Sequence, residues 1–310
     1  MKQRFAPIRF SVVVLLLMSQ LCWTVEPVPA PQLPDPGTAT GVTRSDQQQL
    51  GLKGMAEVYK QMPVLPDSSP LTQYVQQLGR KLQTAISGQN SWPYQFHVVQ
   101  QGEINAFALP GGPIFVNVGT ITAAGNEAEL AGVLAHEMSH VYMQHSAKQA
   151  AKQSMAQSIL GFLGGILGDS TYADLARVGL QIGAGQVFLK YSRTDEAQAD
   201  AVGAVIMYKD GYDPHALASF FEKLEKQGGN NIPQFLSDHP NPGNRMAAID
   251  KEVQNWPSQK YLPNTQAFAH AHQEAASVKA YSAQEIADGA KQGLWAQQNQ
   301  KNGAVPPPVR

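Results

Sequence analysis

In the segment NEAELAGVLAHEMSHV, residues 126–141, an apolar stripe and a pair of histidines both follow the period of an α-helix. Asn126 is a typical helix N-cap, and Glu129 three residues later completes a capping-box pattern. The apolar residues of the stripe recur at helical intervals at Leu130, Val133, Leu134 and Val141. The stretch therefore predicts a buried helix that presents His136 and His140 on one face.

The segment His136-Glu137-Met138-Ser139-His140 has the spacing of a metal-binding helix. Residues four apart lie about 40° from alignment on a helix, so two imidazoles can meet one ion. Glu137 lies about 100° round the helix from His136, where it can reach water beside the ion but does not face the metal as a ligand. We therefore predict His136 and His140 as metal ligands and Glu137 as the catalytic general base.

A catalytic zinc ion needs three protein ligands and an open position, so a third ligand must come from elsewhere in the chain. His145 follows His140 by five residues, which turns it about 140° away on a helix, and no glycine breaks the helix between them. His145 is therefore interpreted as a helix-end residue or as a residue that supports a ligand.

The acidic segment SRTDEAQAD, residues 192–200, offers the missing ligand. Glu196 and Asp200 are one helical turn apart, and the alanines around them let another helix approach closely. We predict Glu196 as the third ligand and Asp200 as the acceptor for the non-metal nitrogen of His136. Mixed nitrogen and oxygen ligands favour Zn²⁺ over Ca²⁺ or Mg²⁺, so one zinc ion per chain is the expected cofactor.

Short apolar alternations before the metal helix predict three strands, carried by Tyr94, Phe96 and Val98, by Ile104, Phe107 and Leu109, and by Ile114, Val116 and Val118. The turn sequence Pro110-Gly111-Gly112-Pro113 joins the last two. Amphipathic helices are predicted over 47–61 and 70–86. The expected fold class is α+β, helix-rich, with a small and mostly antiparallel sheet beside the active-site helix.

Beyond the metal helix, helical spacing extends over about 172–208 and 214–226, and Pro242 is expected to open a further helix. The apolar, glycine-rich segment 159–167 is too short to span a bilayer. It is interpreted as a buried or lid helix, or as a segment that touches the membrane.

The chain after Tyr261 is rich in alanine and glutamine. We predict that 261–310 is a low-complexity, largely disordered tail, apart from one helix begun by Ser282 and Glu285. The catalytic domain is expected over 45–260.

The N-terminus has the order of a secretory signal, with three basic residues before an apolar run over 10–18. We predict a signal peptide over 1–30, cleaved between 22 and 30, then an extended and solvated Pro-rich leader over 31–44, with export to the periplasm. An uncleaved N-terminal segment or a lipidated Cys22 would instead attach the protein to a membrane. A net charge of −1, without a basic run elsewhere, argues against nucleic acid as a partner.

Four motifs together resemble those of the HtpX-type and BepA-type gluzincin metallopeptidases, which are related to the CAAX prenyl proteases. The resemblance covers about residues 45–255 and favours a soluble periplasmic branch without tetratricopeptide repeats. The ExxxD spacing in the third motif has one residue more than the family pattern. The motifs are Asn105-Ala106-Phe107-Ala108-Leu109-Pro110-Gly111-Gly112, the His136 to His140 segment, Ser192 to Asp200, and His239-Pro240-Asn241-Pro242-Gly243-Asn244-Arg245.

The resemblance implies a zincin-like metallopeptidase domain and roles for further residues. The strand Asn105, Ala106, Phe107 and Ala108 would pair with the substrate backbone, which accepts many sequences. His239 would either stabilise the oxyanion or occupy the open zinc position in a shut, resting enzyme, and Arg245 would support its loop.

These features predict an exported zinc endopeptidase that cleaves unfolded or misassembled envelope proteins as quality control. One alternative is a chaperone-like outer-membrane assembly factor whose zinc site is held shut by His239. A non-catalytic zinc-stabilised module is a third reading, which would leave Glu137 without a purpose. Peripheral membrane contact is compatible with the sequence, whereas substrate specificity and oligomeric state are not encoded in any recognisable motif.

Overall fold

A computed structural model describes residues 28–38, 41–86, 88–149, 180–183, 186–189, 191–228, 233–241 and 243–308. The predicted α+β class is confirmed, as are the helices predicted over 47–61 and 70–86. In chain order the helices and strands are α1 (Arg44–Gln61), α2 (Pro70–Gln83), β1 (Gln95–Val99), β2 (Ala106–Ala108), β3 (Pro113–Asn117), α3 (Val118–Ala123), α4 (Glu127–Tyr142), β4 (Leu180–Gly183), β5 (Gln186–Leu189), α5 (Arg193–Lys209), α6 (His215–Gly228), α7 (Gln234–Asp238), α8 (Arg245–Val253), α9 (Gln266–Ser277), α10 (Ala283–Lys291) and α11 (Leu294–Lys301).

The sheet next to the metal helix has the strand order β1-β3-β2. Strands β2 and β3 form the expected antiparallel hairpin, with Phe107 opposite Phe115. Strand β1 runs parallel to β3, with Phe96 opposite Ile114, so the sheet is mixed rather than mostly antiparallel. Because β2 lies between β1 and β3 in the chain, the chain reverses direction twice before β3 and can run parallel to β1.

The hairpin turn fits closely between α1 and the segment before β1. Gly111 and Gly112 have φ angles of 79° and 133°, which side-chain-bearing residues rarely adopt. A Cβ atom on Gly111 would lie 2.5 Å from Gln48 Cα, and one on Gly112 would lie 2.6 Å from the carbonyl oxygen of Pro93. The two glycines therefore allow the turn to pack directly against the backbone of α1 and of the segment before β1, which fixes the position of β2.

Helix α4 lies in the centre of the hydrophobic core and packs against α5 and α6. The side chain of Asn126 caps it by accepting a hydrogen bond from Glu129 N, as expected. Glu129 Oε2 accepts a hydrogen bond from Gly125 N instead of Asn126 N, so the capping box is not reciprocal. A Cβ atom on Gly132 would lie 2.9 Å from Leu217 Cα, which shows how closely α4 approaches α6.

The helix predicted over 172–208 is wrong in its first half. Strands β4 and β5 form an antiparallel hairpin there, and α5 begins only at Arg193. Ser192 Oγ accepts from Asp195 N while Asp195 Oδ2 accepts from Ser192 N, a full capping box that starts a helix at this point. Helix α8 begins at Arg245 under the cap of Asn244. Pro242, 172–179 and 159–167 lie outside the described residues.

The helix expected to begin at Ser282 and Glu285 is present as α10, but the prediction that the rest of 261–310 is largely disordered is wrong, because α9 and α11 also lie within it. Phe268 is buried in the main core, and Trp295 is buried with its indole nitrogen donating to Ile286 O at 2.7 Å. The alanines that gave the segment its low-complexity appearance allow these helices to pack closely. Among the described residues, no helix has the length and apolar character needed to cross a bilayer.

Asn299 of α11 completes the C-terminal end of α1. Its side-chain nitrogen donates to Tyr59 O at 2.7 Å and to Met62 O at 2.8 Å. Its side-chain oxygen accepts from Val64 N at 2.9 Å. One buried amide thus satisfies backbone groups that a helix end leaves without partners.

The described part of the Pro-rich leader lies on the protein surface, where most of its residues are exposed, as expected, and only Pro36 is buried. Its backbone carbonyls have no regular secondary structure to bond with, so side chains near the end of α4 donate to them. These contacts are Tyr142 Oη to Pro34 O at 2.7 Å, Lys148 Nζ to Pro36 O at 2.6 Å and Gln144 Nε2 to Gly37 O at 2.9 Å.

Candidate metal centre

Helices α4 and α5 and the loop after α7 bring four buried side chains to one point. His136 Nε2 lies 3.0 Å from His140 Nε2 and 3.3 Å from Glu196 Oε2. His140 Nε2 is 3.5 Å from Glu196 Oε1. His239 Nδ1 completes the cluster, at 3.2 Å from both His136 Nε2 and Glu196 Oε1.

These spacings fit a divalent metal ion. Zinc bonds of about 2.0–2.1 Å in a tetrahedron place neighbouring ligand atoms about 3.3–3.4 Å apart. The donor atoms of the cluster are 3.0 to 3.5 Å apart in the pairs given above. Three imidazoles and one carboxylate are also a donor set suited to zinc rather than to calcium or magnesium. The residues predicted as ligands, His136, His140 and Glu196, are therefore brought together as metal binding requires.

Glu137 lies beside this cluster with both carboxylate oxygens buried and without a hydrogen-bond partner among the described residues. His239 Nε2 is 3.4 Å from Glu137 Oε1. Burial raises the pKa of Glu137 to about 8, against the opposing effect of His239. A buried carboxylate that takes up a proton so readily suits a general base, which is the role expected for Glu137.

Asp200 and Arg245 surround the cluster and form hydrogen bonds to its side chains. Asp200 Oδ1 lies 3.1 Å from His136 Nδ1, the atom it was expected to reach. Arg245 donates to Asp200 Oδ1 at 2.6 Å and to Glu196 Oε2 at 3.2 Å. It also donates to the backbone carbonyl of His239 at 3.4 Å, so the guanidinium joins the His239 loop to α5.

Charge in the cluster is balanced by close pairing. Burial would raise the pKa of Glu196, but His239 and His136 hold it well below its usual range. Burial likewise opposes protonation of His136, yet Asp200 and Glu196 raise its pKa. Burial holds the pKa of His140 well below its usual value. These pKa shifts favour the ionised form of Glu196 and the neutral form of His140, which are the forms that bind a metal.

His239 is placed among the donor atoms rather than beside the cluster. Its backbone nitrogen donates to Phe235 O at 2.8 Å at the end of α7. Its ring stacks on Phe235 with 4.6 Å between ring centroids. His239 Nδ1 therefore lies where a fourth ligand atom would be, while both roles expected for His239 stay predictions.

The predicted substrate strand lies at an edge of the sheet and packs against α4. Ala106, Phe107 and Ala108 form β2, while Asn105 precedes it and donates to Asp238 Oδ2 at 3.3 Å. Asp238 is the residue before His239, so this contact joins the start of the strand to the His239 loop. Pairing of β2 with a substrate stays a prediction.

The structure shows two further contacts of His140, and the sequence indicated one of them, because His145 is interpreted above as a helix-end residue or as a residue that supports a ligand. Tyr191 stacks on its ring with 3.8 Å between centroids, and nothing in the sequence except its position before the acidic segment could have indicated this. His145 Nδ1 lies 2.9 Å from His140 Nδ1. The expectation that His145 points away rests on an unbroken helix, but Gln144 has a φ of 58° and turns the chain back. Burial lowers the pKa of His145.

A metallopeptidase needs a metal site and a carboxylate beside it that can take a proton from water. The buried cluster and Glu137 supply both. The chain belongs to peptidase family M48, whose match covers residues 70–253. This membership confirms the family resemblance and the metallopeptidase class that the motifs predict.

Curated relatives agree with this assignment. The beta-barrel assembly-enhancing protease of Yersinia pestis is 33% identical over 226 residues, 69% of this chain and 46% of the relative. The protein of the same name from Escherichia coli K12 is 32% identical over 257 residues, 78% of this chain and 52% of the relative. The mitochondrial metalloendopeptidase OMA1 of Schizosaccharomyces pombe is 31% identical over 190 residues, 61% and 55% of the two chains. The chain thus spans about half the length of these relatives.

Proposed function

We propose that the protein is an exported zinc-dependent endopeptidase that hydrolyses peptide bonds in unfolded or misassembled envelope proteins. The observation that carries the proposal is Glu137, a buried carboxylate without a hydrogen-bond partner among the described residues, next to a set of four metal-binding donor atoms. The names of the bacterial relatives, which are proteases that enhance beta-barrel assembly, support the substrate class.

Zinc bound by His136, His140 and Glu196 would lower the pKa of water and polarise the scissile carbonyl. Glu137 takes a proton from the attacking water and delivers it to the leaving amine. Asp200 holds the proton on His136 Nδ1, which leaves Nε2 free to bind the metal. No covalent intermediate between enzyme and substrate is needed.

His239 determines whether this chemistry can start. Its Nδ1 atom takes the fourth donor position, where water and substrate need access. We infer a resting state that becomes active when His239 leaves the cluster, with Arg245 holding the base of its loop. The position of His239 equally supports the alternative function, a chaperone-like assembly factor that binds unfolded envelope proteins while its zinc site stays shut.

The test compares cleavage of casein and of an unfolded outer-membrane protein by the wild type and three variants. Glu137→Gln is expected to keep stoichiometric zinc and to lose cleavage, and full activity in this variant would end the proposal. Glu196→Ala is expected to lose zinc as well as activity. His239→Ala is expected to cleave faster than the wild type if His239 is inhibitory. A complete lack of cleavage by the zinc-loaded wild type and His239→Ala, with retained substrate binding, would favour the assembly factor.

The cellular setting follows from the same proposal. The N-terminal signal expected over 1–30 would deliver the chain to the periplasm, or attach it to a membrane if the segment stays uncleaved or Cys22 is lipidated. Proteomic comparison of a strain carrying Glu137→Gln with the wild-type strain would identify envelope proteins that accumulate when cleavage is blocked. Accumulation confined to cytoplasmic proteins would contradict export.

A further inference from the structure

His140 is the end of a line of three hydrogen-bonded side chains. His140 Nδ1 lies 2.9 Å from His145 Nδ1, and His145 Nε2 lies 3.1 Å from Gln198 Oε1. Both histidine rings are buried, whereas Gln198 belongs to the exposed side of α5. The line therefore runs from the protein surface to the ligand that faces the metal cluster with its other nitrogen.

The positions of the protons along this line follow from the chemistry of its acceptors. An amide oxygen only accepts hydrogen bonds, and the second group near His145 Nε2 is also an oxygen, Asp195 Oδ1 at 4.0 Å. His145 Nε2 must therefore carry the proton. A neutral imidazole then accepts at Nδ1, so His140 Nδ1 must donate to it. His140 Nε2 is left without a proton and with its lone pair free for a metal.

The backbone is distorted at the residue that makes this contact reachable. Gln144 adopts a φ of 58°, the left-handed conformation that side-chain-bearing residues rarely take. Gln144 is held by Gln47 Nε2 and by the carbonyl of Gly37, at 2.9 Å each. Such a conformation persists only where the surroundings fix it. It turns His145 back towards His140 instead of 140° away.

We propose that His145 and Gln198 are positioning residues that fix the tautomer and ring orientation of His140 for metal binding. The inference rests on the proposed function, because it takes His140 as a metal ligand. The carboxylate of Asp200 orients the ring of His136 in the same way. For His140 the supporting groups are the imidazole of His145 and the amide of Gln198. They add no negative charge to a cluster that already contains Glu196.

The tautomer can be measured in the metal-free protein. Long-range ¹⁵N–¹H correlation spectra of the labelled full chain, with chelator present, distinguish protonated from bare imidazole nitrogens. We expect His145 to be protonated at Nε2 and bare at Nδ1, and His140 to be protonated at Nδ1. A proton on His145 Nδ1 would overturn the proposal. The signals are assigned by their loss in His145→Asn and His140→Gln.

The consequence for metal binding is measured as the zinc dissociation constant, by chelator competition in a Glu137→Gln background that prevents self-cleavage. We expect Gln198→Leu and His145→Leu to bind zinc about 10-fold to 100-fold more weakly. Gln198→Glu keeps an acceptor for His145 and is expected to bind at least as tightly as the parent. His145→Asn, whose side-chain oxygen replaces Nδ1 as acceptor, should recover most of the loss.

Gln73→Leu is the matched control, because Gln73 is an exposed helical glutamine that bonds to a backbone carbonyl far from the metal cluster. Unchanged zinc binding in both Gln198→Leu and His145→Leu would overturn the proposal. If His145→Leu does not fold, the exposed Gln198 variants and the spectrum still decide. A parent protein that binds no zinc would refute the proposed function, whereas the spectrum of the metal-free chain tests the tautomer independently.

Discussion

Arg245 donates a hydrogen bond of 2.6 Å to Asp200 Oδ1, the oxygen that also lies 3.1 Å from His136 Nδ1. The same guanidinium bonds to Glu196 Oε2 and lies over the ring of Phe221, 3.8 Å from its centroid. All these groups are buried, so Arg245 balances the charges of Asp200 and Glu196, two buried acids of α5.

Replacing Arg245 with Met is expected to lower the free energy of unfolding of the metal-free protein by about 3–5 kcal/mol, because Asp200 and Glu196 lose a buried partner. Urea denaturation with chelator measures this change. The loss should be smaller with saturating zinc, since the ion then balances Glu196. Arg193→Met is the control, because Arg193 is exposed on the first turn of α5 and should change stability little. A loss no greater than in this control would contradict the prediction.

Gly51→Ala tests how tightly α1 holds the hairpin turn. A Cβ atom at Gly51 would lie 1.9 Å from the carbonyl oxygen of Pro110, a backbone atom that no rotamer change can move. Overpacking of this kind costs about 1–3 kcal/mol, which thermal or urea unfolding would register. Gly125→Ala is a matched control, because the nearest atoms to its Cβ would be 3.6 Å away. Equal stability of the two variants would refute the close approach.

His97 should make the fold sensitive to acid. Burial lowers its pKa to about 4, and its Nε2 has no hydrogen-bond partner among the described residues. The unfolded chain takes up a proton on His97 more readily than the folded chain does. The contribution of neutral His97 to stability is therefore complete above about pH 6.5 and is lost as the pH falls towards 4. A shift of the His97 pKa from 6.5 to about 4 corresponds to roughly 3 kcal/mol of unfolding free energy.

The prediction for His97 is measured as the difference in unfolding free energy between wild type and His97→Phe, with chelator present at every pH. Phe keeps the stacking on Phe115, where the ring centroids are 4.8 Å apart, but cannot be protonated. The wild type should lose stability relative to the variant between pH 6.5 and 4. Parallel pH curves for the two proteins would show that burial of His97 has no such effect.

Loosening the docked leader should expose it to proteases. Tyr142→Phe and Lys148→Met each remove one side-chain donor to the leader carbonyls of Pro34 and Pro36. The double variant is expected to be cut within 31–38 about 30-fold faster than the wild type, because the two lost hydrogen bonds contribute about 1 kcal/mol each to holding the leader. Limited proteolysis with mass spectrometry locates the cuts. Lys279→Met, remote from the leader, should be cut like the wild type.

Local patterns predicted the metal helix well, because the spacing of His136 and His140 determines their common face once a helix forms. Contacts between distant segments were harder to predict. His145 reaches His140 only because Gln144 leaves helical geometry, and Gln198 reaches His145 only through the close packing of α5 on α4. Neither property is encoded in the periodicity of one segment.

The same distinction explains the wrong predictions. An alanine-rich segment such as 266–277 has few apolar residues of its own, and its helix is stabilised when Phe268 enters the shared core. The hairpin of β4 and β5 falls in a segment whose apolar residues also fit a helical period. Tertiary packing decides such cases, and a single sequence does not contain it explicitly.

The contacts of Asn299 have a consequence for biosynthesis. The ribosome adds this residue 237 positions after Met62, whose carbonyl it binds, which at normal translation speeds takes roughly 10 to 50 seconds. During that interval the first helix of the domain lacks the partner for its final turn. A nascent chain therefore lacks these side-chain bonds to the backbone of Tyr59, Met62 and Val64 until Asn299 has emerged from the ribosome.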